Sequence, residues 1–157
     1  MGEQSQYCTF WVDGLFFGVG VECVQEVLRY QHLTAVPSAP EAIQGLINLR
    51  GQIVTALDLR FRLGLPPRAE GALPMNVIVR SRGEVVSLLV DDIGDVITAT
   101  DRSGSGLELE PAPANLPSVV QDVVHGVLAL PDSILLVLDA DRAADVSVVP
   151  ETTGGTP

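Results

Sequence analysis

Arg50 is the residue whose type and position most clearly suggest a chemical role. It stands between Leu49 and Gly51 in the stretch GLINLRGQIVTALDLR, which runs from Gly45 to Arg60 and is otherwise apolar and strand-like. A guanidinium group carries five N–H donors in a planar fork, so an arginine in a turn can bind a carboxylate of a partner. The alternatives are a solvated surface arginine and an ion pair with one of the chain's own acids. The residue pattern alone leaves these possibilities open.

No catalytic or metal-binding pattern accompanies this arginine. The sequence lacks a glycine-rich phosphate loop, a Gly-x-Ser-x-Gly elbow and a Cys-x-x-Cys pair. His32 and His125 form no spaced cluster with acids or cysteine, and Cys8 and Cys23 are predicted to be buried free thiols. Carboxylates are so numerous that no acid–base pair stands out. We therefore expect a protein without enzymatic activity, metal or cofactor.

The composition excludes several classes of partner. The chain has 157 residues, 46% of them hydrophobic, and a formal net charge of -11 at pH 7. That length suits one folded domain, and the charge opposes binding to nucleic acid or to an anionic membrane surface. The longest apolar runs, VVSLLV and ILLVL, are too short to cross a bilayer, and MGEQSQYC lacks the features of a secretory signal. We expect a cytoplasmic protein with no direct membrane insertion and no nucleic-acid partner.

Short segments rich in Val, Ile and Leu, separated by Gly, Pro and Asp, predict a mostly β fold. The candidate strands are QYCTFWV, LFFGVGV, HLTAV, GLINL, QIVTALD, MNVIVRS, EVVSLLV, DVITAT, HGVLAL and ILLVLD. Helices are expected to be few and short. The candidates are CVQEVL, PEAIQ starting at Pro40, DLRFRLG between a capping Asp58 and Gly64, and SVVQDVV.

Two internal echoes indicate that the chain consists of two related halves. Residues 21–27 share a pattern of apolar and acidic positions with residues 90–96, and residues 45–58 share a strand-turn-strand-Asp pattern with residues 126–139. Strand-turn-strand units also resemble one another through composition alone, which is the alternative to duplication. The sequence favours duplication.

The second copy of the turn shows that the arginine is not needed for its geometry. Pro131 and Asp132 stand where the first copy has Arg50 and Gly51. A long planar cation at such a position, next to a flexible glycine, is a candidate contact residue.

The stretch VPSAPEAIQGLINLRGQIVTALDLRFRLGL resembles the central signature of the CheW family, adaptors of bacterial chemosensory arrays. The likeness continues through GVGVECVQEVLR and VVSLLVDDIGDVI to HGVLALPDSILLVLDADR. It covers residues 7–145, a single CheW-like domain, and leaves residues 146–157 as a flexible tail. The resemblance implies two small SH3-like five-stranded β-barrels packed around a shared core, with a few short helices and a groove between the barrels.

The resemblance also implies a function and a set of contact residues. CheW-like adaptors couple the cytoplasmic tip of a methyl-accepting chemoreceptor to the regulatory domain of the histidine kinase CheA, and associate into rings at membrane receptor arrays. They have no catalytic activity of their own. The positions implied in kinase or receptor contact are Arg50, Glu26, Asn48 and Gly51, together with the apolar groove positions Val24, Ile93 and Val96.

Two other functions remain open at this stage. One is a CheW-like scaffold of a non-flagellar chemosensory pathway, controlling surface motility or second-messenger output. The other belongs to a different class, a small-molecule-binding β-barrel whose groove holds an apolar ligand. Val24, Ile93 and Val96 could equally be ordinary core residues, and Glu26 could lie on a solvated face.

Overall fold

The computed structural model describes residues 4–100 and 109–145, which form two antiparallel-rich sheets and a few short helices. The strands are β1 (Gln4–Val12), β2 (Leu15–Gly20), β3 (Val24–Leu28), β4 (Ile43–Leu49), β5 (Gln52–Asp58), β6 (Met75–Ser81), β7 (Glu84–Val90), β8 (Asp92–Ile93), β9 (Ile97–Thr100), β10 (Val124–Ala129) and β11 (Ile134–Leu138). The helices are α1 (Leu59–Arg62), α2 (Ser118–Val123), α3 (Ala140–Ala144) and a 3-10 turn at Val21–Cys23. The predicted tail and residues 101–108 lie outside the described residues.

The order of strands repeats within the chain, in line with the two sequence echoes. The first sheet has the order β10-β11-β2-β1-β8, with β9 also paired to β1, and the second has the order β4-β5-β7-β6-β3. The two orders are the same when β1 is matched with β6, β2 with β7, β3 with β8 and β9, β4 with β10, and β5 with β11. Each sheet therefore takes one hairpin from one half and its remaining strands from the other half, so the two halves are intertwined.

The registers repeat as closely as the order does. The β1–β2 hairpin pairs Tyr7 with Gly20, and the β6–β7 hairpin pairs the corresponding residues Asn76 and Leu89. The parallel pairs β11–β2 and β5–β7 also correspond. This match fixes which residues of the two halves are equivalent. The structure confirms the predicted mostly β class. The first sheet has six strands where five were predicted, because β8 and β9 both pair with β1.

The core has one central part and two smaller ones. The central cluster lies between the sheets and joins residues of both, including Phe10 and Phe17 from the first sheet and Leu57 and Leu88 from the second. Each sheet also curls around a cluster of its own. These are Tyr7, Leu135 and Val137 in the first sheet, and Ile47, Leu49, Val54 and Ile78 in the second. Burial of each such side chain contributes roughly 1.5–3 kcal/mol, so the central cluster is what holds the two sheets together.

Equivalent glycines allow a neighbouring segment to approach each sheet edge. Thr34 forms a two-way backbone bridge to Leu46 on β4, and Glu110 forms the same bridge to Val127 on β10. A β-bulge precedes the bridged residue in both strands. A Cβ atom on Gly45 would lie 2.6 Å from the Thr34 carbonyl oxygen, and a Cβ on Gly126 would lie 2.6 Å from Leu109 Cβ. Glycine is required at both positions because the bridging segment lies so close.

Two of the predicted helices are wrong. CVQEVL is the end of the 3-10 turn followed by strand β3, because β3 gains a ladder of hydrogen bonds with β6 that a helix of a few residues cannot match. PEAIQ is a turn that leads directly into β4. The predicted strand HLTAV contributes only the bridge at Thr34.

The other two predicted helices are confirmed as α1 and α2. The Asp58 side chain accepts a hydrogen bond from the Arg60 backbone N–H, as predicted for a helix cap. Helix α3 was not predicted. Its cap, Asp139, is the repeat equivalent of Asp58 and accepts hydrogen bonds from Asp141 N and Arg142 N.

Candidate functional site

The turn between β4 and β5 holds Arg50 in an unusual backbone conformation. Arg50 and Gly51 form a two-residue loop with φ values of 53° and 89°, the signature of a type I′ hairpin turn. The Gly51 N–H donates a hydrogen bond of 2.9 Å to Asn48 Oδ1, which fastens the turn to β4. Positive φ is uncommon for residues other than glycine, and asparagine is the non-glycine residue that adopts it most easily. An arginine at this position is a poor choice for the backbone alone.

The Arg50 side chain is ion-paired and yet remains accessible. Its Nη2 donates to Oε2 of Glu26 on β3, and the two side chains are 66% and 23% exposed. Strands β3 and β4 are the two edges of the second sheet, so the ion pair connects one edge strand to the turn that ends the other. Two of the possibilities left open by the sequence are therefore both true of Arg50. Arg50 has an intramolecular acidic partner, and it also presents its guanidinium group to solvent.

The apolar positions implied by the resemblance do not all join this site. Val24 and Ile93 are half-buried, and both pack against the central cluster. Val24 lies on β3 in the second sheet, whereas Ile93 lies on β8 in the first, where it pairs with Phe10. Val96 follows β8 and is 55% exposed. The structure therefore groups Arg50, Asn48, Gly51 and Glu26. It places Ile93 on the other sheet and Val96 in the segment between β8 and β9.

Two exposed apolar residues near the site were missed by the sequence reasoning. Ile53 is directly opposite Asn48 in the β4–β5 pair and is 61% exposed. Val27, next to Glu26, is 41% exposed. Their repeat equivalents Ile134 and Val96 are also among the exposed large hydrophobic residues. The two sequence echoes contain a signal for them, because each of these apolar residues recurs at the same place in the other half.

A second polar cluster, also missed, joins the two sheets. The Arg60 guanidinium donates to both carboxylate oxygens of Asp91, at 2.9 and 2.7 Å, and to the Pro66 carbonyl at 2.8 Å. Arg68 donates to Asp91 Oδ1 at 3.0 Å and to both oxygens of Asp58. The Asp13 N–H donates to Asp91 Oδ2 at 2.7 Å. Asp91 is the residue at which the chain passes from β7 in the second sheet to β8 in the first.

The charges in this cluster shift one another's pKa. Burial tends to raise the pKa of Asp91, but hydrogen bonds from Arg60, from the Asp13 N–H and from Arg68 outweigh burial and lower it below its ordinary value. The hydrogen bond to Asp91 raises the pKa of Arg60 further. Both groups are therefore charged at neutral pH, and the cluster fixes the connection between the sheets. Arg60 and Arg68 are both occupied by hydrogen bonds to Asp91 and Asp58.

The remaining candidate groups are the histidines and the cysteines. Both histidines are exposed. The two cysteines are free, as predicted, but they are half-buried and not buried. Burial raises the pKa of the Cys8 thiol, which makes it less reactive. Within residues 4–100 and 109–145, no group of three or more His, Cys, Asp or Glu side chains could hold a metal ion. No helix in the same part of the chain is long and apolar enough to span a membrane.

Comparison with known proteins agrees with this fold. The family model for the CheW-like domain matches residues 6–147. The chemotaxis protein CheW of Bacillus subtilis is 30% identical over 146 residues, covering 90% of this chain and 90% of the relative. The probable chemotaxis protein CheW of Rhizobium etli is 30% identical over 125 residues, covering 80% of this chain and 77% of the relative.

A solved structure gives the same result. The scaffolding protein TtCheW from Thermoanaerobacter tengcongensis superimposes with a TM-score of 0.77 at 26% identity, covering 92% of this chain and 90% of the other. The chain therefore belongs to the CheW-like domain family. Within that family it is a non-enzymatic chemotaxis adaptor, a scaffold that couples components of a chemosensory array. The comparisons do not favour the small-molecule-binding barrel or the non-flagellar scaffold over this function.

Proposed function

We propose that this chain couples the cytoplasmic tip of a methyl-accepting chemoreceptor to the regulatory domain of a CheA-type histidine kinase, and that the Arg50 turn is a partner contact. The observation that carries the proposal is an exposed cation next to exposed apolar surface, because the Arg50 side chain is 66% exposed and Ile53, three residues further on, is 61% exposed. The adaptor would act in the cytoplasm at membrane-associated receptor arrays.

The neighbours of Arg50 suit a protein interface. Ile53 lies across the strand pair from Asn48 and exposes 61% of its surface, so a partner can bury apolar area beside the cation. Glu26 holds the guanidinium in one orientation before binding, which reduces the entropy lost when a partner carboxylate engages it. Truncation of a central arginine in such a patch costs on the order of 2 kcal/mol, roughly thirtyfold in affinity.

The receptor helix is proposed to contact apolar residues in addition to the Arg50 turn. An amphipathic receptor helix would place its apolar face against Val24, Ile93 and Val96 at the junction of the two sheets. The half-buried state of Val24 and Ile93 and the exposure of Val96 support a shallow apolar contact there. The proposal includes a single domain at residues 7–145 and a flexible tail at residues 146–157. It also includes association of the adaptor into rings, in which many weak contacts would act together through multivalency.

Binding measurements with a matched pair of variants test the proposal. Arg82 is a second arginine in a type I′ turn, with a φ of 52° and Gly83 after it. Its side chain is 65% exposed and also faces an acid, Asp145, at 3.7 Å. Arg82→Glu therefore changes the same charge in the same backbone setting. Because β5 and β7 are parallel neighbours, it does so in the adjacent turn at the same end of the second sheet.

The purified wild type, Arg50→Glu and Arg82→Glu would be titrated calorimetrically with a CheA regulatory domain and with a receptor-tip fragment from the same organism. We expect Arg50→Glu to weaken one of these complexes at least about tenfold and Arg82→Glu to change neither by more than about twofold. Circular dichroism checks that both variants fold. If the wild type binds neither partner at tens of micromolar, the coupling proposal fails. If the two variants behave alike, the loss comes from charge at this end of the sheet and not from a specific contact of Arg50.

A further inference from the structure

A groove crosses one face of the second sheet, over strands β4, β5 and β7. It has a volume of about 340 Å³ and extends from Val36, beside the edge strand β4, to Ala144 at the end of α3. Leu46, Thr55 and Val86 lie side by side on the three strands, and all three are half-buried. Because β5 and β7 are interior strands of the sheet, the described residues leave the middle of this face incompletely covered.

The repeat shows the same face of the first sheet in a filled state. The strand registers fix the equivalents of the three groove residues, which are Val127, Leu136 and Phe17. Each of these is at most 5% exposed and belongs to the central cluster. The difference between the two faces therefore comes from what lies over them.

The second sheet has smaller residues and no helix where the first sheet is covered. The first sheet has helix α2, with Val120 and Val123 buried, and Leu63 at the end of α1, all within the central cluster. On the second sheet, residues 37–42 form turns, and Ala42 offers its carbonyl oxygen to the cap of α1 as Val123 does to the cap of α3. Ala144 stands five residues after its capping aspartate, as Leu63 does. The missing side-chain volume accounts for the groove.

The chain leaves α3 directly beside this groove. Asp145 follows the lining residue Ala144 and has extended backbone, with a φ of -85° and a ψ of 99°. Its carboxylate lies 3.7 Å from the Arg82 guanidinium in the β6–β7 turn. The next four residues in the sequence are Val146, Ser147, Val148 and Val149. In an extended segment the first and third of these share a face, so two valines would point the same way.

The length and the tether of this segment suit the groove. Four extended residues cover about 13 Å, and β7 and β4 are two strand spacings apart, or about 10 Å. Attachment to α3 gives the segment an effective concentration at the groove in the millimolar range, so a modest apolar contact is enough to hold it there. The residues that follow, PETTGGTP at 150–157, lack large apolar side chains.

We propose that residues 146–149 of this chain fill the groove, with Val146 and Val148 packed against Leu46 and Val86. The segment takes the place that α2 and the end of α1 take on the first sheet, and it closes an apolar face that would otherwise be open to other proteins. The flexible tail then comprises residues 150–157 only. This inference goes beyond the proposed function and requires neither the kinase nor the receptor.

Nuclear Overhauser effects in the isotope-labelled full chain test the contact directly. We expect them between the methyl groups of Val146 and Val148 and those of Leu46 and Val86. In a mixture of labelled and unlabelled chains they should remain within one chain. Their absence, or their appearance only between chains, would overturn the proposal, the second result because a second copy would then be the occupant.

Two matched double variants test which face of the segment docks. Val146→Asp/Val148→Asp should lower the melting temperature by about 3 °C or more, because docking would bury both carboxylates. Ser147→Asp/Val149→Asp adds the same charge to the same segment and should change the melting temperature by no more than about 1 °C. Equal effects of the two double variants would contradict a docked face formed by Val146 and Val148.

Filling the groove from α3 provides a test by competition. Ala144→Leu restores the leucine of the first half, so it should displace the segment and remove the Overhauser effects between Val148 and Leu46. Ala129→Leu makes the same substitution at an exposed position and should keep them. If Ala144→Leu keeps them as well, the segment lies elsewhere. If a receptor-tip fragment displaces the segment from the wild-type groove, the groove is a partner surface and the intramolecular assignment is wrong.

Discussion

Arg50 in the β4–β5 turn and Glu26 on β3 form an ion pair that joins the two edges of the second sheet. The pair closes the side of the sheet that its regular hydrogen bonds leave open. It also aims a guanidinium group that is 66% exposed. One interaction therefore has two consequences, and they can be separated by experiment because exposed ion pairs contribute little to folding and charged interface residues contribute much to binding.

Removal of the Arg50–Glu26 pair should change stability only slightly. We expect Glu26→Gln and Arg50→Gln each to lower the free energy of unfolding by no more than about 1 kcal/mol, because the arginine side of the pair is open to solvent. Urea unfolding followed by circular dichroism measures this. A loss of about 3 kcal/mol or more would show that the pair is a structural requirement of the barrel, and a binding defect of Arg50→Glu could then not be assigned to contact.

The Asp91 cluster should give the protein a specific sensitivity to acid. The pKa of Asp91 is lowered in the folded state from its ordinary value of 3.8. The folded state therefore gains stability from ionised Asp91 above that value, and the gain is lost as pH falls through the lower folded pKa. Asp91→Asn should cost about 2 kcal/mol at pH 7 and flatten the fall in stability below about pH 4.

The neighbour Asp92 is the matched control for that prediction. It is exposed, and its side chain accepts a hydrogen bond only from the Ile93 N–H among the described residues. Asp92→Asn should leave both the stability at pH 7 and its acid dependence close to those of the wild type. Urea unfolding between pH 7 and pH 3 compares the two variants. Identical acid profiles for Asp91→Asn and the wild type would contradict the assignment.

The glycine at the edge of β10 should be required for the bridge to Glu110. Gly126→Ala would place its Cβ 2.6 Å from Leu109 Cβ and 3.1 Å from the Glu110 carbonyl oxygen. We expect a loss of about 1–3 kcal/mol and faster hydrogen exchange at the Val127 amide, which donates to Glu110 O at 2.8 Å. Gly83→Ala, with nothing within 4 Å of its Cβ, should leave that amide protected. Unchanged exchange at Val127 in Gly126→Ala would contradict the close approach.

Ile53 should contribute to binding but not to folding. Ile53→Ser should weaken the complex that depends on Arg50 by about tenfold while the melting temperature stays within a few degrees, since the side chain is 61% exposed. Its repeat equivalent Ile134 is 50% exposed and adjoins a turn without arginine, so Ile134→Ser serves as the control. Calorimetric titration with the kinase domain and the receptor fragment compares them. Equal losses would place the contact elsewhere.

The sequence revealed features that depend on local chemistry and repeated patterns. The caps and the short apolar runs predicted α1 and most strands, and the echoes correspond to the repeated strand order. Strand β3 was mistaken for a helix because its state is decided by pairing with β6, which a local pattern does not contain. The resemblance supplied Arg50 and Glu26 as contact residues, but their mutual ion pair required the closed barrel.

The Asp91 cluster was hidden for the same reason. Asp91 is 31 residues from Arg60 and 23 from Arg68 along the chain, and the fold brings it to them at the point where the chain passes from one sheet to the other. The exposed apolar residues at strand ends were hidden because a strand pattern does not show how far the neighbouring strand extends. Both features became visible once the two halves could be compared position by position.

Reconstituted kinase activity tests the central claim most directly. Receptor-tip fragments held on vesicles would be mixed with a CheA-type kinase from the same organism, with and without this protein, and kinase autophosphorylation would be measured. The wild type and Arg82→Glu should raise activity at least about tenfold over kinase and receptors alone, whereas Arg50→Glu should leave it near the starting level. If the wild type does not raise activity, or if Arg50→Glu raises it fully, then coupling through the Arg50 turn is contradicted.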